Sequence, residues 1–136
     1  MDEAKRELIQ NWLTKAQHDL AAARKLSAEP DPYLDTAIYH CQQAAEKAIK
    51  GFLVFHDQDF EKTHNLRFLA TLAMPFESEF SSWLEAAKLL TPYSGMFRYP
   101  GEKLEPDRSE FEQALKAAEE LYTFVLSLLP SEVHPQ

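Results

Sequence analysis

Residues 34–56 read LDTAIYHCQQAAEKAIKGFLVFH. Ala37, Cys41, Ala44, Ala48 and Phe52 recur at spacings of three and four, so they share one face of a helix. Alanine favours helix and lets a neighbouring helix approach closely. The apolar residues of FLVFH alternate too poorly for a strand and read as the end of the same helix.

Working outward, residues 3–28 carry Leu8, Ile9, Trp12, Ala16, Leu20 and Ala23 as a second apolar stripe, closed by Pro30 and Pro32. A short helix over 65–74 turns Leu66, Leu69, Ala70 and Ala73 inward, and Pro75 ends it. A fourth, over 77–91, uses Phe80, Trp83, Leu84, Ala87 and Leu90. The loop from Pro92 to Pro106 follows. The last helix, over 108–129, opens with Ser109 and Glu112 in capping-box spacing and continues through Phe111, Leu115, Ala118, Tyr122, Val125 and Leu129. Five helices with short connections predict an all-α, antiparallel up-and-down bundle. Residues 1–136 form a single domain, with the tail 130–136 expected to fray.

Composition narrows the functions open to this bundle. The apolar fraction is 45% and the charged fraction 26%, ordinary values for a globular chain of 136 residues. With only three Gly there is no glycine-rich phosphate loop. Lys and Arg number 14 against 22 Asp and Glu, a net charge of −8, which removes the general attraction that duplex DNA binding uses. The single cysteine, Cys41, excludes an intramolecular disulfide and a cysteine-based zinc site. His40, His56 and His64 lack metal-ligand spacing, so neither metal nor cofactor is expected. The N-terminus MDEAKRELIQ has no apolar signal region, and no apolar run is long enough for a membrane span, so a cytoplasmic protein without a membrane partner is expected.

Several polar residues sit where apolar ones would be expected. Asp19 falls inside the first stripe, between Leu8 and Trp12 on the wheel, where a carboxylate must be paired or hydrogen-bonded. Tyr39, Gln43, Glu46 and Lys50 line one side of the second helix, with His40 and Lys47 at the border of its apolar face. Such a row is either a solvated face with a Glu46–Lys50 ion pair or the wall of a cleft. His64, in EKTHNL, caps a turn or contributes to a site. The segment YSGMFRYPG, 93–101, gathers Tyr93, Phe97, Arg98 and Tyr99. Arginine offers a planar fork of donors to phosphate, and aromatic faces stack on bases. The alternative is a hydrophobic lid with Arg98 paired to an acid. The end of the last helix, YTFVLSLL (122–129), is apolar on almost all sides, which fits a central helix or a dimer interface.

Three segments together, YHCQQAAEKAIKG (39–51), KTHNLRFL (62–69) and FRYPG (97–101), with Trp12, Ala16, Asp19 and Leu20 before them, resemble the HEPN family of small prokaryotic helical proteins. The resemblance covers essentially the whole chain. It implies a helical bundle, often homodimeric, with a link to nucleotides or RNA. It also implies a minimal nucleotidyltransferase as partner, the two working as a toxin–antitoxin-like pair. In the family's ribonuclease branch an Arg is followed, after four to six residues, by a His. Here Arg98 is followed in that window by Lys103, Leu104 and Glu105.

The function expected is therefore a nucleotide-binding or partner-binding module, leaning away from catalysis. Arg98 with Lys47 or Lys50 takes phosphate, and Tyr93, Phe97 or Tyr99 stacks on a base. Asp19, His40, Gln43, Glu46 and His64 shape the pocket, with Arg98 and His64 opening onto one shared hollow. A metal-independent ribonuclease using Arg98 and His64 is one alternative, and a non-catalytic protein-interaction subunit is the other.

Overall fold

The computed structural model describes all residues, 1–136. Its five α-helices are α1 (Glu3–Leu26), α2 (Leu34–Phe55), α3 (Leu66–Ala73), α4 (Leu84–Leu90) and α5 (Arg108–Leu128). Three short 3₁₀ segments accompany them, at Ser78–Trp83, Thr91–Ser94 and, after α5, Ser131–Val133, and there is no strand. No helix is long and apolar enough to cross a membrane.

The helix at the centre is α2. From Cys41 to Leu53 every residue except Lys47 is buried, because α1, α3, α4 and α5 all pack on it. Its expected stripe of Ala37, Cys41, Ala44, Ala48 and Phe52 lies wholly in the core. Gly51 permits the closest approach: a Cβ there would lie 3.3 Å from Leu13 Cδ2 and from Trp12 Cβ. The end of α5 is not the central element. Thr123 and Ser127 are exposed and Phe124, Leu126 and Leu128 only half-buried, with Phe124 sheltered by the rings of Phe80 and Trp83.

In α1 the buried apolar row is Ile9, Leu13, Ala16, Leu20 and Ala23, while Leu8 faces outward and Trp12 sits at the edge. Asp19 is buried within that helix, as its wheel position required. The helix expected over 77–91 begins as a 3₁₀ turn over Ser78–Trp83. Three serines there compete for the backbone and disfavour a regular α-turn.

Helix α5 is capped two residues earlier than the Ser109–Glu112 spacing suggests. Asp107 is the N-cap, accepting from the Glu110 backbone N–H at 2.8 Å. Replacing it by alanine leaves that N–H without its partner, and Asp107→Ala should lower stability by about 1 kcal/mol in urea unfolding. Ser109→Ala should leave it nearly unchanged. Equal effects from the two would return the cap to Ser109.

The tail, expected to fray, docks instead. Val133 is fully buried, and His134 Nε2 lies 2.9 Å from the carbonyl oxygens of both Leu126 and Leu129. Gln10 donates from α1 to the His134 carbonyl at 3.0 Å. Two carbonyls at the end of α5, where helix carbonyls lack intrahelical partners, thereby meet the imidazole.

Candidate functional site

Two carboxylates with their cations organise the polar side of α2. Asp19 reaches from α1 and is nearly enclosed. Its Oδ1 lies 2.7 Å from His40 Nδ1 and its Oδ2 2.7 Å from Lys47 Nζ. His40 and Lys47 are seven residues apart and therefore almost in line on α2, so one carboxylate spans both. Glu46 is the second centre. Its Oε1 meets His64 Nδ1 at 2.7 Å and accepts from Gln42 at 3.1 Å, while Oε2 accepts from Lys50 at 3.0 Å. Gln42 also donates to the His64 carbonyl, and Gln43 donates to Gln42 Oε1.

These are not solvated surface pairs. The side chains of Glu46 and Lys50 are 6% and 8% exposed. The Lys50 ammonium is covered by the rings of Trp12, at 5.7 Å, and Phe60, at 5.6 Å, whose π faces attract it. A buried carboxylate is tolerated because each of its oxygens is hydrogen-bonded.

Arg98 stands at the other end of this polar side. Its guanidinium lies over the Tyr39 ring at 4.7 Å, with the Tyr99 ring 6.0 Å away. It makes no ion pair, and its one hydrogen bond, to the Ser94 carbonyl, is long at 3.5 Å. Asp35, Thr36, Tyr39, His40, Phe97 and Arg98 line a cleft of about 310 Å³. His40 Nδ1 faces Asp19, so a neutral ring would carry its proton on Nδ1, and Nε2 has no hydrogen-bond partner in the protein.

The expected residues therefore divide. Arg98 and His40 come together in the cleft, with Asp19 and Lys47 behind the imidazole. His64, Glu46 and Lys50 line a different depression with Lys62 and Thr63, so Arg98 and His64 do not share one hollow. The reason is spacing: Tyr39 and Glu46 lie on the same face of α2 but seven residues apart, about 10 Å along the axis. Gln43 is buried beneath the row and touches neither space.

Tyr93 is also removed from the site. It is 8% exposed, stacks on Phe97, and donates from its hydroxyl to Glu110 Oε2 at 2.6 Å. Burial, with that carboxylate beside it, pushes the phenol well above its ordinary range. Tyr99 remains exposed beside Arg98. Cys41 is fully buried, and its thiol is pushed up to about 12, chiefly by desolvation, which leaves no reactive thiolate.

Asp35 and Thr36 join the cleft without a place in the sequence-based site. Their signal was present, since each stands four residues before a cleft residue, Tyr39 and His40 respectively.

A helical bundle with a buried polar seam along its central helix is what these features define. The family model of the HEPN domain matches residues 9–128. This chain belongs to the HEPN domain family. The crystal structure of TT1696 from Thermus thermophilus is similar, with a TM-score of 0.79 and 28% identity, over 90% of this chain and 99% of that one. ST0689, described as an archaeal HEPN homologue, superposes with a TM-score of 0.68 at 23% identity, over 88% of this chain and 96% of its own, a likeness of fold alone. No match was found among curated proteins.

Proposed function

We propose that this protein is a nucleotide-binding HEPN module whose site is the cleft between the start of α2 and Arg98. One observation carries the reading: the Arg98 guanidinium lies over the Tyr39 ring at 4.7 Å, without a carboxylate partner, at the rim of a cleft that also holds His40. An arginine whose donors are not engaged by an acid is suited to phosphate, and the stacking ring fixes its plane. Tyr99, exposed beside Arg98, offers an aromatic face for a base. Asp35 and Thr36 supply groups for sugar hydroxyls. A volume of about 310 Å³ suits one nucleotide unit. Membership of the family supports a homodimeric companion of a minimal nucleotidyltransferase, in a toxin–antitoxin-like pair, as the setting for such a module.

Isothermal titration with AMP, ATP and GTP tests the site. Binding is expected with at least one of them, and Arg98→Ala should weaken it by tenfold or more, since charge-assisted hydrogen bonds are lost. Arg98 is exposed, so the variant should fold normally. No heat with the unaltered protein, or equal affinity after the substitution, rejects the reading.

A second reading has its own support. The imidazole beside Arg98 is oriented by a carboxylate at Nδ1 and turns its other nitrogen, without a partner in the protein, away from it, an arrangement suited to a general base. Metal-independent RNA cleavage would then run through His40 rather than His64. Cleavage that survives chelator and disappears in His40→Ala, with His64→Ala unaffected, would establish it. Intact single-stranded RNA after incubation would remove it.

A further inference from the structure

The second depression on α2 has a chemistry of its own. Glu46, Lys50, Lys62, Thr63 and His64 line about 390 Å³, and none of them is apolar. Both Glu46 oxygens are already engaged, by His64 and Gln42 on one side and Lys50 on the other. Lys50 gives Glu46 one of its three N–H groups. Lys62 is exposed and makes no ion pair, so the lining carries two ammonium groups against one carboxylate. Thr63 Oγ1 accepts from the Asn65 backbone N–H at 3.1 Å, which leaves its hydroxyl hydrogen available. In a chain of net charge −8 this is a local excess of donors and positive charge.

One acceptor interrupts the donors. His64 Nδ1 faces Glu46, so a neutral ring would hold its proton on Nδ1 and present Nε2 as an acceptor. The imidazole is 61% exposed, and Nε2 makes no hydrogen bond within the protein. An anion that accepts at most of its oxygens and donates from one would satisfy every group. Monohydrogen phosphate does this, whereas sulfate at neutral pH has no proton to offer.

We propose that this depression is a binding site for a protonated oxyanion, monohydrogen phosphate, whose P–OH donates to His64 Nε2 and whose other oxygens accept from Lys62 and Thr63, with the enclosed Lys50 ammonium contributing charge alone. The site lacks an aromatic face for a base, which separates it from the Arg98 cleft, and it stands whether or not that cleft binds nucleotides.

The experiment follows the ring nitrogens of ¹⁵N-histidine-labelled protein by NMR. Inorganic phosphate, glycerol phosphate and sulfate are titrated in parallel at matched ionic strength. His64 should respond saturably to phosphate, and sulfate should bind about tenfold more weakly, the value of one lost hydrogen bond to a charged group. Glycerol phosphate, whose dianion lacks the P–OH, should follow sulfate. Lys62→Gln should weaken phosphate about tenfold without altering the fold, because Lys62 is on the surface. A His64 signal that does not move, or that moves equally with sulfate, overturns the proposal. So does a response kept in Lys62→Gln and lost in Arg98→Ala, since the anion would then occupy the other cleft.

Discussion

Glu46→Ala should lower the folding free energy by about 3–5 kcal/mol, seen as a lower urea midpoint with an unchanged slope. Three side chains depend on this carboxylate: Lys50, His64 and Gln42. Lys50 is affected most, since its ammonium is enclosed beneath Trp12 and Phe60 and has no other anion within reach. Removing one member of a buried pair leaves the other charged and dry, which costs more than the pair contributed. The double variant Glu46→Ala/Lys50→Met should therefore be more stable than Glu46→Ala alone, because methionine packs between the two rings without a charge. A single-variant loss below about 1 kcal/mol would mean that the pair behaves as a surface salt bridge. No recovery in the double variant would mean that the deficit comes from a cavity instead.

Phe52→Ala should cost about 3–5 kcal/mol as well, for an apolar reason. Phe52 is 1% exposed, and its ring centroid lies 4.9 Å from that of Phe80 and 4.6 Å from that of His56. Phe80 continues to Phe124 at 5.1 Å, and Phe124 stacks on Trp83 at 5.1 Å. This chain of rings joins α2 to the Ser78–Trp83 turn and to α5. Deleting its first member removes buried area and leaves a cavity that rigid neighbours cannot fill completely. Urea unfolding measures the cost, and the emission of Trp83 should shift as its packing loosens. A cost near 1 kcal/mol would show that the rings close over the gap.

The sequence made the helices legible because their periodicity is local and their punctuation is proline. Asp19 could be placed inside its helix's apolar face for the same reason. What escaped depended on distant contacts. Glu46 and Lys50 advertise an i, i+4 pair, but their burial requires Trp12 from α1, Phe60 from the following loop and His64 before α3. The α5 cap was ambiguous because Asp107–Glu110 and Ser109–Glu112 have equal spacing. The earlier pair is reinforced by Arg108, which donates to the Ser27 carbonyl at 2.8 Å, and by Glu110, held by Tyr93. Three aromatic residues close in sequence, Tyr93, Phe97 and Tyr99, looked equivalent. The 3₁₀ turn at Thr91–Ser94 and the turn that follows it bury Tyr93 and Phe97 and leave Tyr99 outside.

The solitary cysteine has a practical consequence. Cys41 sits at 0% exposure in the middle of α2, with its thiol held protonated up to about pH 12. Alkylating reagents can reach it only when the helices around it part. The rate of labelling with iodoacetamide therefore clocks the opening of this bundle, without any engineered probe. A bound ligand or partner that holds the helices together should slow that clock in proportion to its occupancy.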